Sequence, residues 1–225
     1  TVAPEREGIE RLVGAVGGSE LRGAIDDVVP RERAAGTPLH LLLDDIAGTS
    51  LIAGFAWTRG RPEAAERRDA ERPAQFGVRK GKVICSGLRP DGWSQTHAAQ
   101  GIWSVHALVP AGSLELDRDP EAWPTFPEDP EVGMRRHRRV DVWREGDTLH
   151  VDAFFRDSCW EPDGTQMALH EYTVDATVDR DTHALQSVVA TPRVLPYPEC
   201  QWAAPHTRLL EGRTVSAFRT EVQST

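Results

Sequence analysis

Apolar and polar positions alternate most regularly in the second half of the chain. In "DTLHVDAFFRDS", Leu149, Val151, Ala153 and Phe155 share one face, as expected for a half-buried β-strand. "LHEYTVDATVD" alternates in the same way from Tyr172 to Val178, and "ALQSVVATPRV" follows after the turn "DRDTH". The pattern predicts at least three antiparallel strands, with Pro192 ending the third.

The periodicity becomes helical after the segment "VLPYPECQWAAPH", residues 194–206. Leu209 and Leu210 lead to Gly212, which is typical of a helix C-terminus, and Thr214 is suited to cap a second helix over "VSAFRTEVQ". The second half therefore predicts an α+β fold, in which an antiparallel or mixed sheet is followed by C-terminal helices.

The first half is more apolar and less regular. "IERLVGAV" favours a short helix and "RPEAAERRDAERPAQ" a charged surface helix. "LHLLLDDIAGTSLIAGFAW", residues 39–57, is interpreted as two buried strands joined by a turn at "DIAGT", and "GVRKGKVICSG" as another strand. Proline-rich, acidic residues 110–130 are typical of a connector. The sequence thus predicts a β-rich N-terminal half, residues 1–130, and an α+β core, residues 131–225.

Composition narrows the class of protein. The formal net charge is −9, which argues against a nucleic-acid partner. No apolar run reaches the length of about 18 residues that a membrane span needs, and the first residues do not resemble a signal peptide. Three widely spaced cysteines argue against a disulfide framework and favour the cytoplasm. A homo-oligomer is compatible with the composition.

Two residues stand out as candidates for catalysis. Cys200 precedes a predicted helix, where the helix dipole would stabilise a thiolate; the alternative is a buried, inert cysteine. His170 is in phase with an apolar strand face, where it would act as a general base, a metal ligand or a hydrogen-bonded core residue. Asp157 ends the preceding strand and is placed to orient His170, with Tyr172 beside it.

Other residues are candidates for binding. Arg136 and Arg138 in "MRRHRRVDVW" would hold an anionic group, or would be charges on a solvated strand edge. The chain has seven tryptophans, which line a pocket for a flat ligand or simply fill the core. Trp160, Trp202 and Tyr197 are the aromatic candidates. No metal-binding spacing occurs, so a zinc or iron ion on Cys200 and His170 is a weaker expectation.

Several segments occur in the order of a known family: "MRRHRRVDVW", "FFRDS", "ALHEYTVDATVD", "VVATPRVLPYPEC" and "LLEGRTVSAF". In the order of these segments, the second half of the chain resembles the bacterial domain-of-unknown-function family DUF2889. More distantly it resembles the NifU-like iron–sulfur scaffold fold, which implies that Cys200 forms one wall of a metal site. DUF2889 members usually continue into a Gly-Cys-Thr-His-Leu segment, which the resemblance implies would complete such a site.

The sequence therefore leads to three functional hypotheses. The first is an enzyme of the lyase, isomerase or hydrolase type that acts on a small hydrophobic or aromatic metabolite. The second is a protein that binds a small ligand or metal without turnover, and the third is an interaction module. The enzyme hypothesis places the active site between the sheet and the segment that contains Cys200.

Overall fold

The computed structural model divides the chain into two compact units, Thr1–Arg59 and Gly60–Thr225. It describes residues 6–59, 61–71, 78–79, 82–83, 85–102, 105, 107–124 and 133–218. In chain order the α-helices are α1 Arg6–Glu10, α2 Ser19–Val28, α3 Pro30–Ala35, α4 Pro38–Thr58, α5 Pro62–Glu71 and α6 Trp93–Ala98. The strands are β1 Val78–Arg79, β2 Lys82–Val83, β3 Val109–Pro110, β4 Met134–Glu145, β5 Thr148–Trp160, β6 Gln166–Asp179 and β7 Leu185–Val194.

The first unit is helical among the described residues, so the predicted β-rich N-terminal half is wrong. The apolar stretch 39–57 lies within the single long helix α4 and not in two strands. Thr37 caps this helix by accepting the backbone N–H of His40 at 3.5 Å, and Pro38 occupies its first turn. Leucine and alanine favour a helix once these start signals are in place. The predicted helix at residues 9–16 is shorter than expected, because α1 ends at Glu10.

Helices α2 and α4 form the core of this unit. Ile25 and Val29 pack with Leu43 and Ala47, and Ile25 is only 1% exposed. Asp44, which was interpreted as the end of a strand, lies within α4 and accepts a hydrogen bond from Arg22 Nε at 2.7 Å. No single helix in the described part of the chain is long and apolar enough to cross a membrane. Only the two segments Pro38–Ser50 and Ile52–Thr58 of α4, bent by 59°, satisfy that length and composition together.

The second unit begins with short elements. The predicted surface helix at 61–75 is present as α5 within the described range. The strand predicted over residues 77–87 is instead the antiparallel pair β1 and β2, followed by a 3₁₀ helix at Ser86–Leu88. The predicted domain boundary at residues 130/131 lies outside the described residues and stays a prediction.

The five-stranded sheet confirms the antiparallel strands predicted for the second half. Strands β4, β5, β6 and β7 pair antiparallel in sequence order, and the two-residue strand β3 also pairs with β6. Alternation in long strands with polar turns between them specifies this arrangement. The fold is thus of the α+β class, with helices and an antiparallel sheet.

The two faces of this sheet carry different side chains. The face that we call the His170 face carries Leu149, Val151, Ala153, Phe155 and Asp157 of β5, because these pair directly with Val178, Ala176, Val174, Tyr172 and His170 of β6. The opposite side, which we call the Trp123 face, carries the alternate residues of the same strands, including His137, Arg139, Phe154 and Arg156.

The C-terminal helical segment covers part of the His170 face. A 3₁₀ helix spans Pro198–Leu210, and a second, short one spans Val215–Ala217. Leu210 and Phe218 pack against the cluster of Val178, Leu185 and Val188. Gly212 has a φ of 81°, which favours glycine and confirms the predicted end of the helix.

Candidate functional site

His170 lies where the regular pairing of strand β6 is interrupted. On one side, the register shifts between Asp157 and Ser158, which leaves Leu169 as an extra residue on β6. On the other side, β3 pairs with β6 only at residues 167 and 168, and β7 pairs only from Glu171 onward. His170 therefore stands beside a bulge and in the gap between two neighbouring strands. Bulges re-aim side chains and are frequent next to active sites.

A buried carboxylate lies directly behind the His170 ring. His170 Nδ1 is 3.4 Å from Asp157 Oδ2, and the Asp157 side chain is 2% exposed. Arg136 holds the same carboxylate with two hydrogen bonds, Nε to Oδ1 at 2.7 Å and Nη2 to Oδ2 at 2.9 Å. Such a fork of two parallel bonds fixes the carboxylate plane. These three side chains, Arg136, Asp157 and His170, form what we call the His170 cluster.

The charge of Asp157 is stabilised by this arrangement. Burial alone would raise the pKa of Asp157, but the polar contacts and positive charge of His170 and Arg136 bring the pKa below its ordinary value. Asp157 is therefore an anion at neutral pH. Its role in the cluster is to hold Arg136 and to orient the His170 ring.

The two nitrogens of His170 have different surroundings. Nδ1 is buried and lies 3.4 Å from Asp157 Oδ2, but it makes no hydrogen bond in the described structure. The His170 side chain is 23% exposed, whereas its Nδ1 atom is out of contact with solvent. A proton on Nδ1, facing the carboxylate, leaves Nε2 as the nitrogen with a free lone pair.

Tyr172 and Cys200 lie together next to this cluster. The Tyr172 hydroxyl donates a long hydrogen bond of 3.5 Å to the Cys200 carbonyl oxygen. Burial, with the nearby Cys200 and Cys85 thiols, raises the pKa of Tyr172 to about 12. The phenol is therefore neutral under ordinary conditions and acts as a hydrogen-bond donor.

The structure places the Cys200 thiol in surroundings that disfavour a thiolate. Cys200 is the third residue of the 3₁₀ helix that begins at Pro198, and it is 8% exposed. Burial outweighs the hydrogen bond from the backbone of Tyr197 and raises the pKa of the Cys200 thiol to about 11. Its Sγ atom packs against Gly87, where an added Cβ would collide with it. Cys200 is therefore a neutral packing residue.

The remaining binding candidates are dispersed. The guanidinium of Arg138 lies 5.8 Å from the centre of the Phe155 ring, and that of Arg136 lies 4.8 Å from the same ring centre. Tyr197 packs on Gly87 and lies 5.8 Å from Trp93. Trp202 is 48% exposed and stacks with Arg89. Trp160 lies on the Trp123 face with Arg135, away from His170.

The predicted metal pair gains no support from the geometry. No group of three or more His, Cys, Asp or Glu side chains suited to a metal ion occurs within the described ranges. A structural zinc ion takes about four protein ligands and a catalytic one about three.

Sequence reasoning missed the role of Glu199, which directly precedes Cys200. Glu199 accepts the backbone N–H of Trp93 at 2.7 Å and thereby fixes the start of α6 against the Cys200 segment. Gly92 permits this approach, since a Cβ there would lie 3.3 Å from the Glu199 carboxyl carbon. The only sign of this contact in the sequence is a glutamate between Pro198 and Cys200. Its partner, Trp93, is more than 100 positions away, so no local pattern predicts the hydrogen bond.

The site lies in a part of the chain that matches a known family. Residues 134–225 match the family described as "Protein of unknown function (DUF2889)". We call these matched residues, 134–225, the DUF2889 domain. No curated protein and no solved structure matches the chain.

The DUF2889 domain contains the whole His170 cluster, together with Tyr172 and Cys200. The predicted family membership is confirmed by this match. The NifU-like arrangement stays a prediction, and the segments that contact Cys200 and Glu199 from residues 85–98 lie outside the DUF2889 match.

Proposed function

We propose that the second unit is an enzyme in which His170 acts as a general base on a small hydrophobic or aromatic metabolite. The observation that carries this proposal is the His170 cluster. A partly exposed histidine is held by a buried carboxylate, and that carboxylate is held in turn by an arginine. A histidine oriented in this way is prepared to remove a proton with its outer nitrogen.

The chemistry of the surroundings favours proton transfer over nucleophilic attack. Cys200 and Tyr172 both have raised pKa values, of about 11 and about 12, so neither supplies an anionic nucleophile at neutral pH. The Tyr172 hydroxyl donates its proton to the Cys200 carbonyl oxygen over a long distance of 3.5 Å, and a substrate oxygen placed closer would accept that proton instead. Proton removal assisted by a neutral donor is common to lyases, isomerases and hydrolases.

The substrate class follows from the side chains beside the cluster. Phe155 and Tyr172 are direct cross-strand neighbours, which offers an apolar, aromatic surface next to His170. Arg138 lies over the same Phe155 ring and adds positive charge. We therefore favour a metabolite with an apolar or aromatic body and an oxygen-bearing group near the acidic C–H or O–H bond.

A second candidate is a protein that binds such a molecule without converting it. The neutral state of the Cys200 thiol and its close packing favour this alternative, because Cys200 then supplies no second reactive group beside His170. Both candidates use the same surface, and they differ only in turnover.

The test combines ligand binding with turnover. A panel of small hydrophobic and aromatic metabolites is screened by thermal shift, and each ligand found is then followed by mass spectrometry for conversion. For a substrate, His170→Gln should retain the thermal shift and lose kcat by about 10²–10⁴-fold, which is the usual contribution of a general base. Asp157→Asn should lower kcat because the ring loses its orienting anion.

His150→Gln serves as the matched control. His150 is also a sheet histidine beside a carboxylate, with Nε2 at 3.6 Å from Glu145, but it lies on the Trp123 face and stacks on Trp143. We expect this variant to keep full activity. Unchanged turnover in His170→Gln would refute general-base catalysis, and binding without conversion by the wild-type protein would favour the second candidate.

A further inference from the structure

Three side chains on the Trp123 face carry buried nitrogens that have no hydrogen-bond partner within the described structure. The nitrogens are Trp123 Nε1, His137 Nδ1, and Nε and Nη1 of Arg139, whose Nη1 is 3.3 Å from Asp141 Oδ2. Buried polar groups in folded proteins are nearly always paired, and leaving one unpaired costs about 1–3 kcal/mol. Three such side chains in one place form a site suited to a hydrogen-bonding partner.

The three side chains belong to one cluster. The Trp123 ring stands edge-on to His137, with 5.5 Å between ring centres, and edge-on to Phe154 at 5.8 Å. Arg139 pairs directly with Phe154 across strands β4 and β5 and is two residues from His137 on β4. We call Trp123, His137, Arg139 and Phe154 the Trp123 cluster.

A ligand that pairs with these nitrogens must be a hydrogen-bond acceptor. An indole N–H and a guanidinium N–H only donate, and His137 Nδ1 donates in one of its two neutral forms. Phe154, with the Arg156 guanidinium 5.3 Å from its ring centre, and the rings of Trp123 and His137 supply an aromatic lining. The combination of several donors and aromatic walls fits a carboxylate attached to an aromatic ring.

The electrostatic potential also favours an anion. Burial, followed by the charges of Arg135 and Arg156, lowers the pKa of His137 to about 4. The positive charges that oppose a proton on His137 attract a negative group at the same place. Asp152, Asp141 and Glu171 oppose this in part, but the first two are already bound by Arg139 and Arg118 and the third by Arg156.

We propose that the Trp123 cluster is a second ligand site, which binds the carboxylate of a small aromatic acid. The carboxylate accepts hydrogen bonds from Trp123, Arg139 and His137, and the aromatic ring lies against Trp123 and Phe154. This site is on the opposite side of the sheet from His170, so it does not depend on the proposed enzymatic activity.

Access to the site requires movement of the segment that carries Trp123. These nitrogens are out of contact with solvent, and Trp123, which stands edge-on to His137 and Phe154, belongs to the segment 111–124, which has no helix or named strand. Arg118 ties this segment to the sheet through Asp152 at 2.9 Å and Asp141 at 3.4 Å. Arg118→Gln should therefore speed the entry and exit of the ligand.

The test uses benzoate as the probe and the indole N–H signals of the ¹⁵N-labelled full chain as the readout. Benzoate should shift the Trp123 indole signal, assigned by its absence in Trp123→Phe. The same variant should weaken benzoate binding by about tenfold or more in calorimetry, because it removes a hydrogen bond to a charged group. His170→Gln should leave the shift unchanged.

Trp143→Phe is the matched control, because Trp143 lies on the same face with its indole N–H already donated to Glu145 at 3.1 Å. We expect it to bind benzoate as the wild type does. The proposal fails if the Trp123 signal does not respond to benzoate, if inorganic phosphate moves it equally well, or if His170→Gln abolishes the response.

Discussion

At the scale of single residues, Cys200 shows how packing decides chemistry. Its place near a helix start predicts a reactive thiolate, whereas its burial against Gly87 and Tyr197 raises the pKa of the thiol to about 11. Desolvation of a charged sulfur outweighs the few backbone N–H groups that face it. The consequence is that Gly87 and Cys200 act as a packing pair.

This pairing predicts the outcome of a double-mutant cycle. Gly87→Ala should lower the free energy of unfolding by about 1–3 kcal/mol, because the new methyl group collides with the Cys200 thiol. Adding Cys200→Ala should restore part of that loss, so the two changes are coupled. Chemical denaturation of the four proteins measures the coupling.

Gly112→Ala is the control for this cycle, since nothing lies within 4 Å of the position its Cβ would take. It should leave the free energy of unfolding nearly unchanged. Strictly additive effects of Gly87→Ala and Cys200→Ala would show that the two residues do not share their packing space.

At the scale of elements, the prediction for residues 39–57 was wrong, whereas the prediction for the sheet was confirmed. The strict alternation in β5 and β6 has only one regular interpretation, a strand with two different faces, and the sheet confirms it. The run 39–57 is apolar on nearly every side, and such a run is compatible with a buried strand or a buried helix. Its length and the cap at Thr37 favoured a helix, and Gly48 is accommodated inside it.

The helical geometry of α4 predicts different costs for two adjacent leucines. Leu43 is 8% exposed and packs with Ile25, so Leu43→Ala should lower the free energy of unfolding by about 2–5 kcal/mol. Leu42 is 65% exposed, so Leu42→Ala should change it by less than about 0.5 kcal/mol. Denaturation monitored by circular dichroism tests the pair, and equal losses for both variants would argue against this helix orientation.

At the scale of the whole molecule, two buried groups make stability fall in acid. The pKa of Asp157 lies below its ordinary value in the folded state, so its contribution to stability is present above that ordinary value and is lost as the pH falls through the folded pKa. The pKa of His137 falls from 6.5 to about 4 on folding, so the unfolded chain binds more protons between these values. Stability therefore rises with pH over that interval.

His137→Phe isolates the second of these effects. The variant keeps an aromatic ring against Trp123 but cannot bind a proton, so the decrease in unfolding free energy between pH 6.5 and pH 4 should become shallower. Urea denaturation at a series of pH values measures the slope. His206→Gln, at an exposed position, controls for the loss of one histidine, and an unaltered slope in His137→Phe would contradict the prediction.

The sequence by itself determined the strands of the DUF2889 domain, the faces of β5 and β6, and the family to which residues 134–225 belong. These follow from local periodicity and from motif order, which do not depend on distant parts of the chain. Asp157 and His170 could be linked in advance for the same reason, because both lie in phase on paired strands.

Only the tertiary structure decided what covers each side chain. The burial of Cys200 depends on Gly87, the Arg136 fork on Asp157 depends on strand register, and the unpaired nitrogens around Trp123 depend on a segment that crosses the sheet. Protonation and accessibility are set by neighbours that are far away in sequence, and no local pattern records them.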